Sequence, residues 1–225
     1  DARPVRQICT TSRKGDKLMR VLDLFSGIGG FSLGLQRAGM QTVAFCEIDP
    51  FCRRVLEKRF PGVPIFEDIR TLTKRSLQEA GVTSDAEPID LICGGFPCQP
   101  FSVAGNQRGK DDDRYLWPEM LRVIKEVKPR WIMAENVGGI ASLWEPISPT
   151  KLESRTVQCL LESDYYKGVF TRQEMLFIAN VIKDIEEAGY KLPEALDGTP
   201  IIPIIPACAV DAPHQRKRVW IVAHS

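Results

Sequence analysis

The sequence predicts an α/β fold built on a mostly parallel twisted sheet with helices on both faces. Three observations predict it. Short apolar runs of strand character alternate with segments whose apolar residues recur at helical spacing. A glycine-rich turn, Gly27-Ile28-Gly29-Gly30, joins the first such strand to the first helix. The chemically informative residues stand just after strands, where sheets of this kind bind ligands.

Taken in order, residues 1–19 are polar and basic and read as a lead-in to one domain spanning 20–225. Arg20–Phe25 is a buried strand, and the glycine turn feeds a helix that runs to about Ala38 and is ended by Gly39. Thr42–Cys46 is a second strand, Pro50–Phe60 a helix, Pro64–Phe66 a short strand and Ile89–Cys93 a fourth. Leu116, Met120, Ile124 and Val127 recur at helical spacing until Lys128-Pro129 stops the helix. Trp131–Ala134 is the next strand. Met175, Ile178, Ile182, Ile185 and Ala188 form a second helical stripe closed by Gly189. Both stripes read as core. Residues 141–170 lack clear periodicity and read as a surface insertion, and prolines 193, 200, 203 and 206 imply an extended path. Arg218–Ala223 is the last strand.

Composition narrows the class. The chain has 225 residues, and 44% hydrophobic content is enough for a buried core. No apolar run approaches the ~20 residues that span a bilayer, and no signal-peptide h-region is visible. A membrane partner is therefore not expected. Net charge is +1, which by itself says nothing about nucleic acid. The local clusters Arg53-Arg54, Lys58-Arg59 and Arg216-Lys217-Arg218 read either as solvated faces or as phosphate sites. Seven cysteines, an odd number without a C-x-x-C pair, speak against a disulfide framework or zinc site and fit a reducing cytoplasm. No metal is expected. The first residue is Asp, consistent with a processed or cut segment.

The turn after the first strand, Phe25 to Gly30, offers close backbone approach and the free N–H groups of a helix start. Alone it is equally a tight strand–helix turn. A dinucleotide fingerprint beginning at Gly27 would need glycine at position 32, which is Ser32, so that fingerprint fails. Glu47 ends the second strand and suits ribose hydroxyls. Asp68 ends the third; it can accept from an adenine amine, or merely cap the next segment. A nucleoside without pyrophosphate fits this set, and a sulfonium would be favoured beside the face of Phe25.

Gly94-Gly95-Phe96-Pro97-Cys98-Gln99-Pro100-Phe101-Ser102 follows the fourth strand. Cys98 lies between prolines, in a loop that is neither regular helix nor sheet. It reads as a nucleophile whose thiol is acidified at a helix start, or as a buried cysteine in a packed turn. Glu135-Asn136-Val137 end the fifth strand. If that strand neighbours the fourth, a desolvated Glu135 carboxyl can donate a proton to a ring nitrogen; otherwise it is a solvated strand end. Arg216 and Arg218, before the last strand, can grip a base oxygen or phosphates, or form a basic turn at a sheet edge.

Together these residues resemble the DNA cytosine-5 methyltransferase family of bacterial and phage type. The matching segments are DLFSGIGGFSLGL at 23–35, EID at 47–49, Asp68, GGFPCQPFS at 94–102, RYL at 114–116, ENV at 135–137 and HQRKR at 214–218. The resemblance covers roughly 20–140 and 207–224. It implies a Rossmann-like methyltransferase fold, S-adenosyl-L-methionine as methyl donor, and double-stranded DNA as partner, with base flipping. It implies Cys98 as the nucleophile and Glu135 as the group acting at N3. Asn136 would orient the cysteine loop, and Arg216 and Arg218 would steady the flipped cytosine and that loop. Phe25, Ser26, Gly27, Ile28, Gly29, Gly30, Glu47, Ile48, Asp68, Pro97 and Leu116 would contact the donor, with Ile48 on the adenine. Gln99 and Ser102 would face DNA, Ser102 towards a phosphate. The expected setting is restriction–modification in a bacterial or phage-encoded, cytoplasmic, nucleoid-associated protein.

The resemblance has departures. The stretch between ENV and HQRKR is longer than usual for the family. The target-recognition region and the later segment completing the donor pocket are not recognisable. A C-terminal fragment or second polypeptide is therefore expected to supply target recognition, and the chain alone is expected to be inactive or nearly so. Two alternatives stand. One is an RNA cytosine-5 methyltransferase of tRNA type, which typically carries a Cys-Phe-Thr tripeptide that does not occur here. The other is a non-catalytic DNA-binding partner subunit.

Overall fold

A computed structural model describes residues 17–97, 116–137, 154–214 and 217–225. The chain divides into two compact units. One holds residues up to Gly94 with Glu126–Pro129, and the other holds Gly95–Lys125 and Arg130–Ser225.

The first unit contains β1 (Arg20–Leu24), α1 (Gly30–Arg37), β2 (Gln41–Cys46), α2 (Pro50–Arg59), β3 (Ile65–Phe66), α3 (Lys74–Glu79) and β4 (Leu91–Gly95, ending at the unit boundary). Its strands lie in the order β3-β2-β1-β4, all parallel. The chain leaves β1 to one side for β2 and β3 and returns to its other side for β4. A crevice opens where such an order reverses, beyond the carboxyl ends of the strands. Val21, Leu22, Leu24, Ala44, Phe45 and Ile92 are buried completely. This is the two-sided burial that makes parallel strands read as continuous apolar runs. Pro50 opens α2 and the Asp49 carboxylate caps it, accepting from Phe51 N at 2.7 Å and Cys52 N at 3.3 Å. Helix α3 is not among the elements that the sequence predicts. Its brevity hides its periodicity, but Thr73 and Ser76 cap it reciprocally.

The second unit contains α4 (Trp117–Val127), β5 (Trp131–Val137), α5 (Arg155–Glu162), α6 (Asp164–Lys167), α7 (Arg172–Glu187), β6 (Ile204–Pro206) and β7 (Lys217–His224). β7 runs antiparallel between β5 and β6. Met175, Ile178, Ile182 and Ile185 of α7 are buried, as the stripe predicts, and so are Phe177, Ala179 and Val181. Residues 155–167, within the stretch read as an aperiodic insertion, instead form α5 and α6. Ser154 caps α5, and Val157 and Leu160 are fully buried. The proline-rich path at 193–206 lacks an amide at each of its four prolines, and Ile201 N donates to Pro193 O at 2.8 Å. The Tyr166 hydroxyl anchors it, donating to Pro200 O at 2.7 Å and accepting from Ile202 N at 2.9 Å. Among the described residues no helix is long and apolar enough to cross a membrane.

Candidate active site

In the first unit the crevice is built by the turn after β1 and the ends of β2 and β3. Phe25 at φ 53°, Gly27 at 53° and Gly29 at 84° are all left-handed. For Phe25 this is a strained conformation that the surrounding contacts must hold. Ser26 is buried; its hydroxyl donates to Asp23 O at 2.6 Å and its amide to Cys46 O at 3.3 Å. Its side chain thus braces the turn from within. The glycines divide by cause. A Cβ on Gly29 would stand 2.7 Å from the Phe60 ring, so α2 packing excludes a side chain there. Gly27 and Gly30 face open space, leaving room for close approach of a ligand. Gly94, at the end of β4, is held without a side chain by Leu24 O, 2.7 Å from its would-be Cβ.

Glu47 links this turn to β2. One carboxylate oxygen accepts from Gly27 N at 2.6 Å and the other from Asp49 N at 2.8 Å. Each oxygen keeps lone-pair capacity for hydroxyl donors. Ile28 and Ile48 flank these bonds along the chain and stay 48% and 61% exposed, an apolar surface beside a fixed carboxylate. Asp68 follows β3 and accepts from Arg70 N at 2.9 Å, with Arg70 Nη1 at 3.6 Å from its other oxygen. Asp68 thus closes a turn and caps no helix, the next helix being capped by Thr73, and its other oxygen faces the Arg70 cation. Both acids reach the end of β2: burial, then Asp68 and Glu47, push the Cys46 thiol up to about 12.

Asp23 lies beneath the turn, fully buried. Ser32 donates to it at 2.6 Å and Thr42 to Ser32 at 2.8 Å. Burial dominates over these bonds and raises the Asp23 carboxyl to about 7. Ser32, where a dinucleotide fingerprint would need glycine, is thus the second member of a buried chain of hydroxyls. The site reading from sequence missed Asp23. Its signal was an acid inside the apolar run RVLDLF.

In the second unit the root of the cysteine loop is fixed on three sides. The Phe96 ring is buried against Trp117 and Phe177, at centroid distances of 5.0 and 6.3 Å. Asn136 Nδ2 donates to Phe96 O at 3.3 Å. Leu116 N meets Pro97 O at 3.5 Å. Cys98, Gln99, Ser102 and Arg216 lie outside the described residues. Glu135 is neither solvated nor isolated: Arg218 Nε stands 2.5 Å from its Oε1. Arg218 occupies β7 between β5 and β6, opposite Val137 and Ile205, so it is not a basic turn at a sheet edge. Cys93, just before the loop, is fully buried, and burial beside Asp23 holds its thiol well above the usual range. Among the described residues no group of His, Cys, Asp and Glu could hold a metal ion.

The family profile of the C-5 cytosine-specific DNA methylases matches residues 19–146. The chain belongs to this family. It is 42% identical over 123 residues to the type II methyltransferase M.AquIA of Picosynechococcus, covering 54% of this chain and 49% of that one. It is 36% identical over 183 residues to the type II methyltransferase M.PspPI of Psychrobacter, covering 77% and 42%. A crystal structure of a prophage-encoded E. coli protein described as a DNA modification methyltransferase matches with a TM-score of 0.60 and 27% identity, covering 93% of this chain and 47% of that one. The chain spans 29 to 54% of the length of eight curated relatives that it matches, M.AquIA and M.PspPI among them. Within this α/β methyltransferase family the residues predicted at the donor end, from Phe25 to Asp68, fall in the first unit. Pro97, Leu116, Glu135, Asn136 and Arg218 fall in the second.

Proposed function

We propose that the chain carries the methyl-transfer machinery of a DNA cytosine-5 methyltransferase. The observation that carries this reading is the fixed root of the Cys98 loop. Asn136 holds the Phe96 carbonyl two residues before the cysteine, and the adjacent Glu135 is paired with Arg218. Such anchoring suits a loop that must present a nucleophile in one geometry.

The residues after β1, β2 and β3 fit S-adenosyl-L-methionine. Glu47 would accept from the ribose hydroxyls, Ile48 would pack on the adenine, and Asp68 would accept from its amine. The turn from Phe25 to Gly30 would line the rest. When bound, the donor supplies an electrophilic methyl carbon. Cytosine C5 is too weak a nucleophile to take it directly. The Cys98 thiolate adds to C6, and Glu135 stabilises the electron density displaced onto N3, by protonation or hydrogen bonding. C5, now enamine-like, would take the methyl carbon as the donor's methyl–sulfur bond breaks, leaving S-adenosylhomocysteine. Loss of the C5 proton to a solvent base would then re-form the C5–C6 double bond and break the C6–S bond, releasing the thiolate. The cytosine must leave the duplex, at a cost of a few kcal/mol. Arg218 and Arg216 would steady it, with Gln99 and Ser102 towards the DNA strand. The partners in this reading are double-stranded DNA and a C-terminal fragment or second polypeptide that reads the bases. The cellular setting would be bacterial or phage restriction–modification.

Transfer of labelled methyl from the donor tests this reading, with the chain assayed alone and with a separately expressed C-terminal partner. DNA and tRNA serve as competing acceptors. Label in C5 of DNA cytosine is the expected result. Label in tRNA alone, or DNA binding without transfer under either condition, would overturn it.

A further inference from the structure

We infer that Arg53 is a positioning residue for the adenosine of the methyl donor, acting through the backbone that carries Glu47 and Ile48. This rests on the donor-site reading above and adds a residue to it. Arg53 and Arg54 are adjacent in sequence, but their side chains part. Arg54 lies over the Phe51 ring, 6.0 Å from its centroid. Arg53 leans back past the start of α2, the direction helical side chains favour. Its Nη1 donates to Glu47 O at 3.2 Å and to Ile48 O at 2.8 Å, and its Nη2 pairs with Glu67 Oε1 at 3.2 Å.

The two carbonyls belong to the chain beyond the last registered pair of β2 and β3, Cys46 with Phe66. Glu67 immediately precedes Asp68. One guanidinium therefore ties the segment bearing the ribose and adenine contacts to the segment bearing the amine contact. A cation in the first turns of a helix opposes the helix dipole, so the dipole does not explain its placement. The Arg53 side chain is only 20% exposed, whereas that of Glu67 is 75% exposed. An exposed ion pair contributes little, so the carbonyl bonds carry the effect. Lysine keeps the charge but lacks the planar fork that reaches both carbonyls and the carboxylate.

The test is calorimetric titration of the full chain with S-adenosylhomocysteine, for wild type, Arg53→Met, Arg53→Lys and Glu67→Ala, with melting curves of each ligand-free protein. Arg53→Met should weaken binding about tenfold or more, with lysine recovering part of the loss. Glu67→Ala should stay within about twofold of wild type. Ligand-free melting of Arg53→Lys should match wild type while its binding does not. If Arg53→Met fails to fold, the lysine variant decides. Wild-type binding with unchanged affinity in the arginine variants would overturn this inference alone. No binding by wild type would overturn the donor-site reading together with it.

Discussion

Arg218 and Glu135 are diagonal neighbours across the β5–β7 pair, with Nε 2.5 Å from Oε1. Glu135 stands opposite Trp220, two residues along from Arg218, so both side chains share one face of the sheet. The Arg218 side chain is 24% exposed and that of Glu135 17%, enough burial for the pairing to matter. Glu135→Gln should keep the fold and lower turnover by about 100-fold or more, the range of a lost acid–base group. Arg218→Met should lower turnover through its hold on the cytosine and also destabilise by about 1–3 kcal/mol, because it removes a cation from a largely buried carboxylate. Urea melts and single-turnover assays separate the two. Equal turnover in wild type and Glu135→Gln would remove Glu135 from the chemistry.

Cys98→Ser should abolish turnover while donor affinity stays near wild type. DNA containing 5-fluorocytosine should trap an adduct at Cys98, since fluorine cannot leave as a proton does. Cys93 is the nearest competitor in sequence, but its thiol is fully buried and strongly disfavoured as thiolate. Mass spectrometry of the digested adduct locates the bond, and an adduct on Cys93 would sink the assignment.

Glu47→Ala removes the proposed ribose acceptor and also the bonds to Gly27 N and Asp49 N. Donor affinity should fall by about 1–3 kcal/mol. The ligand-free melting point should fall too, because two amides lose their acceptor. Glu47→Gln keeps one acceptor oxygen and should fall between. Unchanged donor affinity in the alanine variant would reject the ribose role.

Asp23 ties stability to pH. The folded carboxyl holds its proton up to about 7, whereas the ordinary value is 3.8. Its contribution is therefore fully present below 3.8, is lost as pH rises through 7, and is constant above. Asp23→Asn cannot ionise, so it should gain on wild type across that window by on the order of a few kcal/mol. Chemical denaturation at several pH values from about 4 to 8 measures the difference. A difference that does not change with pH would show that Asp23 is not the group responsible.

The strands and long helices were legible because burial writes a period into the residues, as Met175, Ile178, Ile182 and Ile185 show. Short helices carry too few turns for a period. α3 and α5 are marked by Thr73 and Ser154 at their starts rather than by stripes. At the donor end Glu47 stood out as an acid directly after a strand, but its bonds to Gly27 N and Asp49 N did not. Arg53 was not legible, because its partners are backbone carbonyls that no residue type announces. The Arg218–Glu135 pair was equally hidden: its members are 83 positions apart in the chain, and only the antiparallel return of β7 brings them together.

Gly29 and Phe60 meet where α2 crosses the turn after β1. In a mutational scan scored by cellular abundance, losses at position 29 would therefore record helix packing and the left-handed backbone. Gly30 has neither a left-handed backbone nor a neighbour within 4 Å of a Cβ. A variant at 30 that keeps its abundance but loses transfer would report the ligand. Of these two glycines in one short motif, one is a structural constraint and the other a probe of the pocket.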